Sequence, residues 1–591
     1  MWRRKTFNRT EHRFSCLMSR SATSVTIGEY LFTRLKQLGV ASVFGVPGDF
    51  NLGLLDYIDD VDGIKWVGNT NELNAAYCAD GYARVTRQAS ALITTFGVGE
   101  LSAVNGVAGS MSERLPVVHI VGIPSTLSQA HKEVLHHSLG NGDFRVFAKM
   151  SESITVAQTL LEGNMDIPSE IDRVLRACMV SRAPVYIGFP SDFPSRLVDA
   201  ARLRTPIIVQ AYGTYPQIEH AVAQKVCELL YAAQRPVMLV DTCVSRYNVV
   251  DYVLTLLEKT KLVFFQTEMA KGVLSEDHPQ YAGLYLGANT PPLLKEVIEG
   301  SDLVISLGGL KSDWNTGGFS YGIKSENSVE IHSTWAIIKG HEFSGIRLSS
   351  VLKSITSMVD PGKLRPMAPP RVLAEDGNPD NDLGGETIQH TAFWPRMAQF
   401  LERGDIIIAE TGTSTAGVTS MNLPPQATII SQLLWGSIGY SVPAAFGALM
   451  ATRDMGNNRR VVLYVGDGSL QLTATEISSM VREGLNPVIF VLNNGGYTIE
   501  RKIHGENSAY NDVQNWKYTM LPQVFGSTTA STYTTKNLKE LNAALKSVSA
   551  AKDVLSVVEV MMDKHDAPEG TKSTGIFAEK LNSGKVWGLE A

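Results

Sequence analysis

Short runs of β-branched and aliphatic residues recur along the chain, each stopped by Gly, Pro or Asp and followed by apolar positions at helical spacing. In the first third they are Ser42–Phe44, Ile64–Val67, Ala91–Thr95, Val117–Val121 and Val185–Ile187. A second set comprises Val237–Val240, Leu262–Phe265, Leu303–Leu307 and Val329–His332. A third holds Ile406–Ala409, Val461–Val465 and Val488–Leu492. Apolar runs that do not alternate with polar residues fit strands buried on both faces, and strands alternating with helices fit parallel sheets. The pattern predicts an α/β protein of three doubly wound parallel-sheet domains, 23–205, 206–360 and 387–591, preceded by a tail over 1–22. Residues 361–386 carry five prolines and four glycines and read as a linker.

Length agrees: 591 residues make about four domains, or three large ones, at roughly 150 each. With 44% hydrophobic and 19% charged residues, disordered, collagenous and coiled-coil readings fail. A net charge of −6, from 53 basic and 59 acidic residues, gives no electrostatic reason to bind nucleic acid or an anionic membrane. Cys16, Cys78, Cys178, Cys227 and Cys243 form no C-x-x-C pair. That excludes a disulfide framework and a Cys-based zinc site and fits a reducing, cytoplasmic setting. Residues 1–23 are basic and Ser/Thr-bearing but lack an apolar core, which excludes a secretory signal. A disordered tail, a start at Met18 and a transit peptide remain its readings. Thr411 to Thr452 carry no charge over 42 residues. Gln432, Gly436, Ser437, Gly439 and Pro443 interrupt that stretch, so burial against a cofactor is expected there rather than a membrane span.

The chemistry concentrates in two regions. Val461–Val465 runs into Gly466-Asp467-Gly468, and Thr473-x-x-Glu476 reads as a capping box opening the next helix. Val488–Leu492 ends in Asn493-Asn494-Gly495-Gly496. In a right-handed βαβ unit both turns lie at the carboxyl ends of parallel strands, where α/β sheets bind ligands. The Asp467 carboxylate, the Asn494 amide oxygen and the Gly496 carbonyl form an all-oxygen set suited to Mg²⁺ that also holds phosphate oxygens. Gly468 lets the backbone approach a diphosphate closely. Gly-Asp-Gly alone is an ordinary turn; followed by Asn-Asn-x-Gly after a second strand, it resembles the thiamin diphosphate signature.

Nearer the N-terminus, Glu72 begins a helix on which Ala75, Ala76, Ala79 and Ala83 leave a small-residue face for close packing. An acid there can simply complement the helix dipole. With a thiamin cofactor it acquires a second role, because a carboxylate on the aminopyrimidine favours the imino tautomer that deprotonates the thiazolium carbon. His136-His137 in a Gly-bounded loop fit a proton relay, whereas His119, inside a strand, reads as structural. Glu500 follows the metal turn, either as a helix-start acid or as a carboxyl facing the substrate.

The chain resembles the fungal pyruvate decarboxylases of the thiamin diphosphate-dependent 2-oxo acid decarboxylase family, over roughly Thr26 to Val560. The resemblance rests on P-G-D-F-N-L from Pro47, G-N-T-N-E-L-N-A-A-Y from Gly68, L-H-H-S-L-G from Leu135 and E-T-G-T from Glu410. It rests also on L-W-G-S-I-G from Leu434, G-D-G-S-L-Q-L-T from Gly466 and N-N-G-G-Y-T-I-E from Asn493. It implies thiamin diphosphate and Mg²⁺, decarboxylation of pyruvate to acetaldehyde, and a homodimer or homotetramer with sites between subunits. Glu72 becomes the cofactor-activating carboxylate, and Asp49, His136, His137 and Glu500 the proton-handling groups. Ile438 becomes the wedge that bends the cofactor, while Thr411, Thr413, Gly436, Ser437 and Ser469 lie where the family contacts it. Gly495 replaces an acid of yeast relatives, and Trp314 stands for their Phe in a pocket that Ile499 and Ile503 also wall, with Thr415 for their Ala. Cys243 matches a cysteine proposed for substrate activation, a buried structural thiol being the other reading. Gly97-Val-Gly99 fails the dinucleotide fingerprint, because the third glycine position is Ser102. An aromatic 2-oxo acid decarboxylase, for indolepyruvate or phenylpyruvate, is the alternative specificity.

Overall fold

The computed structural model describes residues 23–209, 214–370 and 387–583. The predicted tail over 1–22, Cys16 and most of the predicted linker (371–386) lie outside these residues. Each apolar run forms a strand, and among the described residues these strands build three large sheets. The first contains β2 (Ser42–Gly45), β3 (Lys65–Gly68), β4 (Ser90–Thr95), β5 (Val117–Ile123), β6 (Gln158–Leu160) and β7 (Val185–Pro190), in the order β3-β2-β4-β5-β7-β6 and parallel throughout. A small antiparallel pair, β1 (Ser24–Thr26) and β8 (Leu197–Asp199), ties its two ends together.

The central sheet orders β9 (Pro236–Val240), β10 (Val263–Gln266), β11 (Tyr281–Leu284), β12 (Leu303–Leu307), β13 (Ser328–Ile331), β14 (Trp335–Ile338) and β15 (His341–Ser344) as β11-β10-β9-β12-β13-β14-β15. Its last two strands add an antiparallel hairpin to a parallel sheet. Lys339 (φ 48°) and Gly340 (φ 84°) make the two-residue turn, in the left-handed region that such tight hairpins require. The third sheet, again parallel, orders β16 (Ile406–Ala409), β17 (Thr428–Ile430), β18 (Val461–Gly466), β19 (Val488–Asn493), β20 (Ser531–Thr535) and β21 (Ser556–Met561) as β17-β16-β18-β19-β21-β20.

The first and third sheets share one hydrophobic core. The helix Glu72–Thr86 lies against the helix Ser441–Asp454 closely enough that a Cβ on Gly81 would strike the Ala444 carbonyl, and one on Gly447 the Cys78 carbonyl. This uses the predicted small-residue face and corrects one expectation. The helix Ser441–Asp454, which begins in the charge-free stretch, is buried against the first sheet's helix, not against a cofactor; Thr411–Ser414 and Ile438 face a narrow cleft, and Thr415, Ala416 and Thr419 a larger cavity. No helix among the described residues is long and apolar enough to cross a membrane.

Strand order places ligand positions before any side chain is considered. The order in which strands are added reverses between β2 and β4, between β9 and β12, and between β16 and β18, and crevices open at the carboxyl ends of parallel strands at such points.

Candidate active site

The turn after β18 carries Asp467 and the turn after the adjacent strand β19 carries Asn494 and Gly496, so the topology joins them as the sequence predicts. Asp467 is fully buried. Its Oδ1 accepts the Gly468 amide at 2.9 Å, but its Oδ2 and the Asn494 Oδ1 are buried with no hydrogen-bond partner. Burial pushes the Asp467 carboxyl up to about 6, while the Gly468, Gly495 and Gly496 amides favour its charged form. Two buried oxygens left unsatisfied cost roughly 1–3 kcal/mol each, and a bound cation removes that cost. With the Gly496 carbonyl beside them, the donor set fits Mg²⁺, a hard cation that retains positions for water and phosphate oxygens. Gly496 (φ 138°) has no room for a side chain, since a Cβ would strike the Asn511 carbonyl. Gly495 (φ 72°) faces open space, and its positive φ favours glycine.

The predicted capping box does not form. A helix already spans Asp467–Thr473, and Thr473 Oγ1 donates to the Gly439 carbonyl at 2.7 Å. Glu476 instead reaches the first sheet's unit, accepting from Asn69 Nδ2 (2.8 Å), Thr70 Oγ1 (3.0 Å) and Asn74 Nδ2 (2.9 Å).

Beside the Asp467 turn, Thr411, Thr413, Ile438, Gly468, Ser469 and Asn494 line a narrow cleft of about 30 Å³. Glu410, quoted in a motif but given no role, holds this cleft's shape. Its buried carboxylate accepts from Ser441 Oγ (2.6 Å) and from the amides of Ser441 (3.1 Å), Thr411 (3.1 Å) and Gly439 (3.3 Å). Burial raises its pKa against those donors. Gly436 and Ser437 share the Ile438 loop but do not line the cleft. The Ser437 hydroxyl is engaged by Tyr77 OH at 2.6 Å and Asn105 Nδ2 at 3.1 Å.

The first sheet carries the second cluster. Asn71 caps the helix Glu72–Thr86 by accepting the Asn74 amide at 2.8 Å, which sets Glu72 in the first turn. A Cβ on Gly99 would meet Glu72 Oε1 at 3.1 Å, so glycine there leaves the carboxyl its space. Burial raises the Glu72 pKa above its ordinary value. Asp49 follows β2 and bonds His136 Nε2 at 2.6 Å. His137, at φ 62°, turns its ring to within 4.7 Å of the His136 ring, centre to centre. Asp49, His136 and His137 thus lie together, with a ligand atom of each within 4.8 Å of the others. His119 is structural as expected: buried, bonded to Thr94 Oγ1 at 2.9 Å and driven down to about 3 by burial.

Among the described residues, no hydrogen bond or ion pair joins Glu72, Asp49, His136 and His137 to Asp467, Asn494 and Gly496.

A cavity of about 550 Å³ opens between the central and third sheets, lined by Trp314, Thr415 and Ile499 together with Glu268, Phe577 and Leu286. Ile503 is absent from its wall, and Glu500 is exposed in the first turn of the helix Thr498–Ile503 without reaching the cavity. Sequence reasoning gave no role to the helix Glu569–Asn582, whose Phe577 packs over Gly318 and closes the cavity. Glu268 was missed as well. Thr419 Oγ1 donates to its Oε1 at 3.0 Å, and burial pushes its carboxyl up to about 7. At the central reversal Asp241 is buried and saturated by Thr267 Oγ1 (2.7 Å), Asn315 Nδ2 (3.0 Å) and the Leu310 amide (2.9 Å), so this crevice is filled by protein. Beside it, Cys243 is buried and its thiol is pushed up to about 12 by desolvation and by Asp241, which keeps it protonated here.

Comparison with known proteins agrees with this anatomy. Family models for the thiamine pyrophosphate enzyme match the N-terminal TPP binding domain over residues 25–143, the central domain over 223–343 and the C-terminal TPP binding domain over 410–560. A pyruvate decarboxylase of Aspergillus fumigatus is 44% identical over 562 residues, covering 94% of this chain and 98% of the relative. One of Kluyveromyces marxianus is 43% identical, covering 95% and 99%. Pyruvate decarboxylase isozyme 1 of Saccharomyces cerevisiae is 43% identical, covering 93% and 97%. In fold, the chain is similar to the solved thiamine diphosphate-dependent 4-hydroxybenzoylformate decarboxylase of Rhodococcus jostii, with a TM-score of 0.72 at 21% identity over 91% of this chain and 99% of that one.

Proposed function

The chain belongs to the thiamine pyrophosphate enzymes and, within them, to the pyruvate decarboxylases, and from that premise we propose how its residues divide the work. The reaction is non-oxidative decarboxylation of pyruvate to acetaldehyde and CO₂. The observation that carries the residue assignment is the pair of buried, unpartnered oxygens of Asp467 and Asn494 at a strand-order reversal. Together with the Gly496 carbonyl they hold Mg²⁺, and the Thr411, Thr413, Gly468 and Ser469 segment holds the diphosphate. The separation of the two clusters supports a homodimer or homotetramer in which Glu72, Asp49, His136 and His137 of one copy meet the metal turn of another. The buried free thiols Cys78, Cys178, Cys227 and Cys243 support a reducing compartment. We place the enzyme in the cytoplasm, in alcoholic fermentation.

Thiamin diphosphate, when bound, supplies the electron sink that lets CO₂ leave. The protein supplies geometry and protons. Glu72, whose carboxyl burial keeps more readily protonated, would be the group that shares a proton with the aminopyrimidine. Ile438, in the cleft wall, would pack against the bound cofactor. Asp49 and His136 share a proton across 2.6 Å, and with His137 they deliver and remove protons as acetaldehyde forms. Glu500 joins them when the partner copy closes the site.

Substrate choice tests the pocket. Trp314 lines the cavity wall, and overpacking a closed site with a larger substrate costs about 1–3 kcal/mol. Pyruvate is therefore preferred over phenylpyruvate in kcat/KM by roughly 5- to 150-fold. Trp314→Phe should shrink that ratio. An aromatic preference in the wild type would instead support the indolepyruvate or phenylpyruvate specificity.

Glu268 gives a pH signature. Its folded pKa, about 7, lies above that of an exposed glutamate, so the fold favours the neutral form. As pH rises through about 7 the group ionises beside the cavity that receives an anionic 2-oxo acid, and KM for pyruvate should rise. By the same linkage, folded stability falls as pH rises from the unfolded value, about 4.3, toward 7. Glu268→Gln should flatten the KM rise between roughly pH 6 and 8. A profile identical to the wild type would remove Glu268 from this role.

A further inference from the structure

A second cavity, of about 280 Å³, lies where the three sheets' units meet, and it is lined by basic side chains from all three. Arg84 and Arg87 come from the end of the helix Glu72–Thr86 and its cap, Arg246 and Lys271 from the central unit, and Arg459 from the third. Three of the five are neutralised. Arg84 pairs with Asp80 at 2.7 Å and Glu113 at 3.3 Å, Arg246 with Glu113 at 3.8 Å, and Lys271 with Glu276 at 2.6 Å. No described carboxylate pairs with Arg87 or Arg459. Arg459 donates to the Gly404 carbonyl (2.6 Å), the Gln426 carbonyl (3.1 Å) and Thr428 Oγ1 (2.8 Å). Nearby Asp405 is committed to Arg460 at 2.6 Å, and Asp251 acts on Arg87 only at longer range.

The charge on both is held against resistance. Burial lowers the pKa of Arg87 and of Arg459, and Arg87 lowers Arg459 further. A cation at a helix C-terminus complements the dipole, which accounts for Arg87 alone but not for a second guanidinium facing it from another unit. Arg87 also sits at φ 56°, where glycine is favoured. The only acid among the described lining residues, Glu268, has one oxygen bonded to Thr419 and also borders the substrate cavity.

We propose that this junction cavity binds a small dianion, a phosphate ester or a dicarboxylate, between Arg87 and Arg459. Guanidinium groups suit either, because both offer paired oxygens to a planar fork of donors. The volume, just under the roughly 300–1,000 Å³ of small-molecule pockets, restricts the ligand to a few carbons. The site is separate from the diphosphate cleft, whose lining it does not share.

Titration calorimetry on the cofactor-loaded enzyme tests this, with inorganic phosphate in one arm and succinate in the other, at an ionic strength fixed with chloride. The proposal expects saturable binding of at least one anion, and which arm responds identifies the chemistry. Arg87→Ala should weaken binding at least tenfold while leaving kcat on pyruvate unchanged; Arg459→Gln should do the same. If Arg459→Gln does not fold, for want of its carbonyl contacts, Arg87→Glu replaces it and should abolish binding. No binding beyond the chloride control, or equal affinity in Arg87→Ala, overturns the proposal.

Discussion

Glu72→Gln should cut turnover of pyruvate by roughly 10²–10⁴-fold, the scale of losing a positioned acid–base group, with the fold and the bound cofactor intact. The reason is local. Gln keeps the size of Glu and its place in the first helical turn, and the cap is made by Asn71, not by the side chain replaced. What disappears is a carboxyl whose pKa burial has raised, a state suited to sharing a proton with a ring nitrogen. Exchange of the thiazolium proton, followed by NMR in the loaded enzyme, should slow in the variant. Unchanged exchange would reduce Glu72 to a dipole-complementing residue. Thermal unfolding should barely move, since a first-turn charge contributes only about 0.3–1 kcal/mol.

Asp467→Asn should abolish activity by a different route, through loss of the metal. The substitution keeps the shape of a fully buried side chain but replaces the one charged oxygen of the Mg²⁺ set with a neutral amide. Outer-shell substitutions at metal sites already cost roughly 10–100-fold in affinity, and a direct ligand should cost more. Metal analysis and cofactor content after gel filtration should both show loss, and high Mg²⁺ should restore only part of the activity. Dialysis of the wild type against a chelator should give the same apo-protein, reloaded by thiamin diphosphate with Mg²⁺. Full retention of Mg²⁺ by Asp467→Asn would mean that the unpartnered oxygens serve something else.

The central strands and the turns that end them were legible in sequence because an unbroken apolar run buried on both faces has few other readings. Edge strands were not. Thr428–Ile430 and Ser531–Thr535 are half-exposed; the interior strand Ser556–Met561 was hidden for a different reason, its apolar run being interrupted by Glu559. The hairpin at Lys339-Gly340 lacks the Asn-Gly or Asp-Gly signal that announces such turns. At the site, Asp467, Asn494 and Gly496 could be read because two turns flank one helix. Glu268, Phe577, Arg87 and Arg459 could not, since their surroundings exist only once separate units pack. Ser437, Ile503 and Glu500 lie along the right segments but line neither the cleft nor the cavity within this chain. A motif fixes where a residue lies along the chain but not which way its side chain turns, and here Ser437 is taken by Tyr77.

Whether the two clusters meet across subunits can be measured directly. Glu72→Gln and Asp467→Asn chains, each with little activity alone, can be co-expressed with different tags and purified over both. If the two clusters meet across subunits, a mixed dimer carries one doubly damaged site and one intact site. Acetaldehyde release from pyruvate should then recover to about half the wild-type rate per dimer, as two-fold symmetry requires. A mixed dimer no more active than its parents would contradict the account.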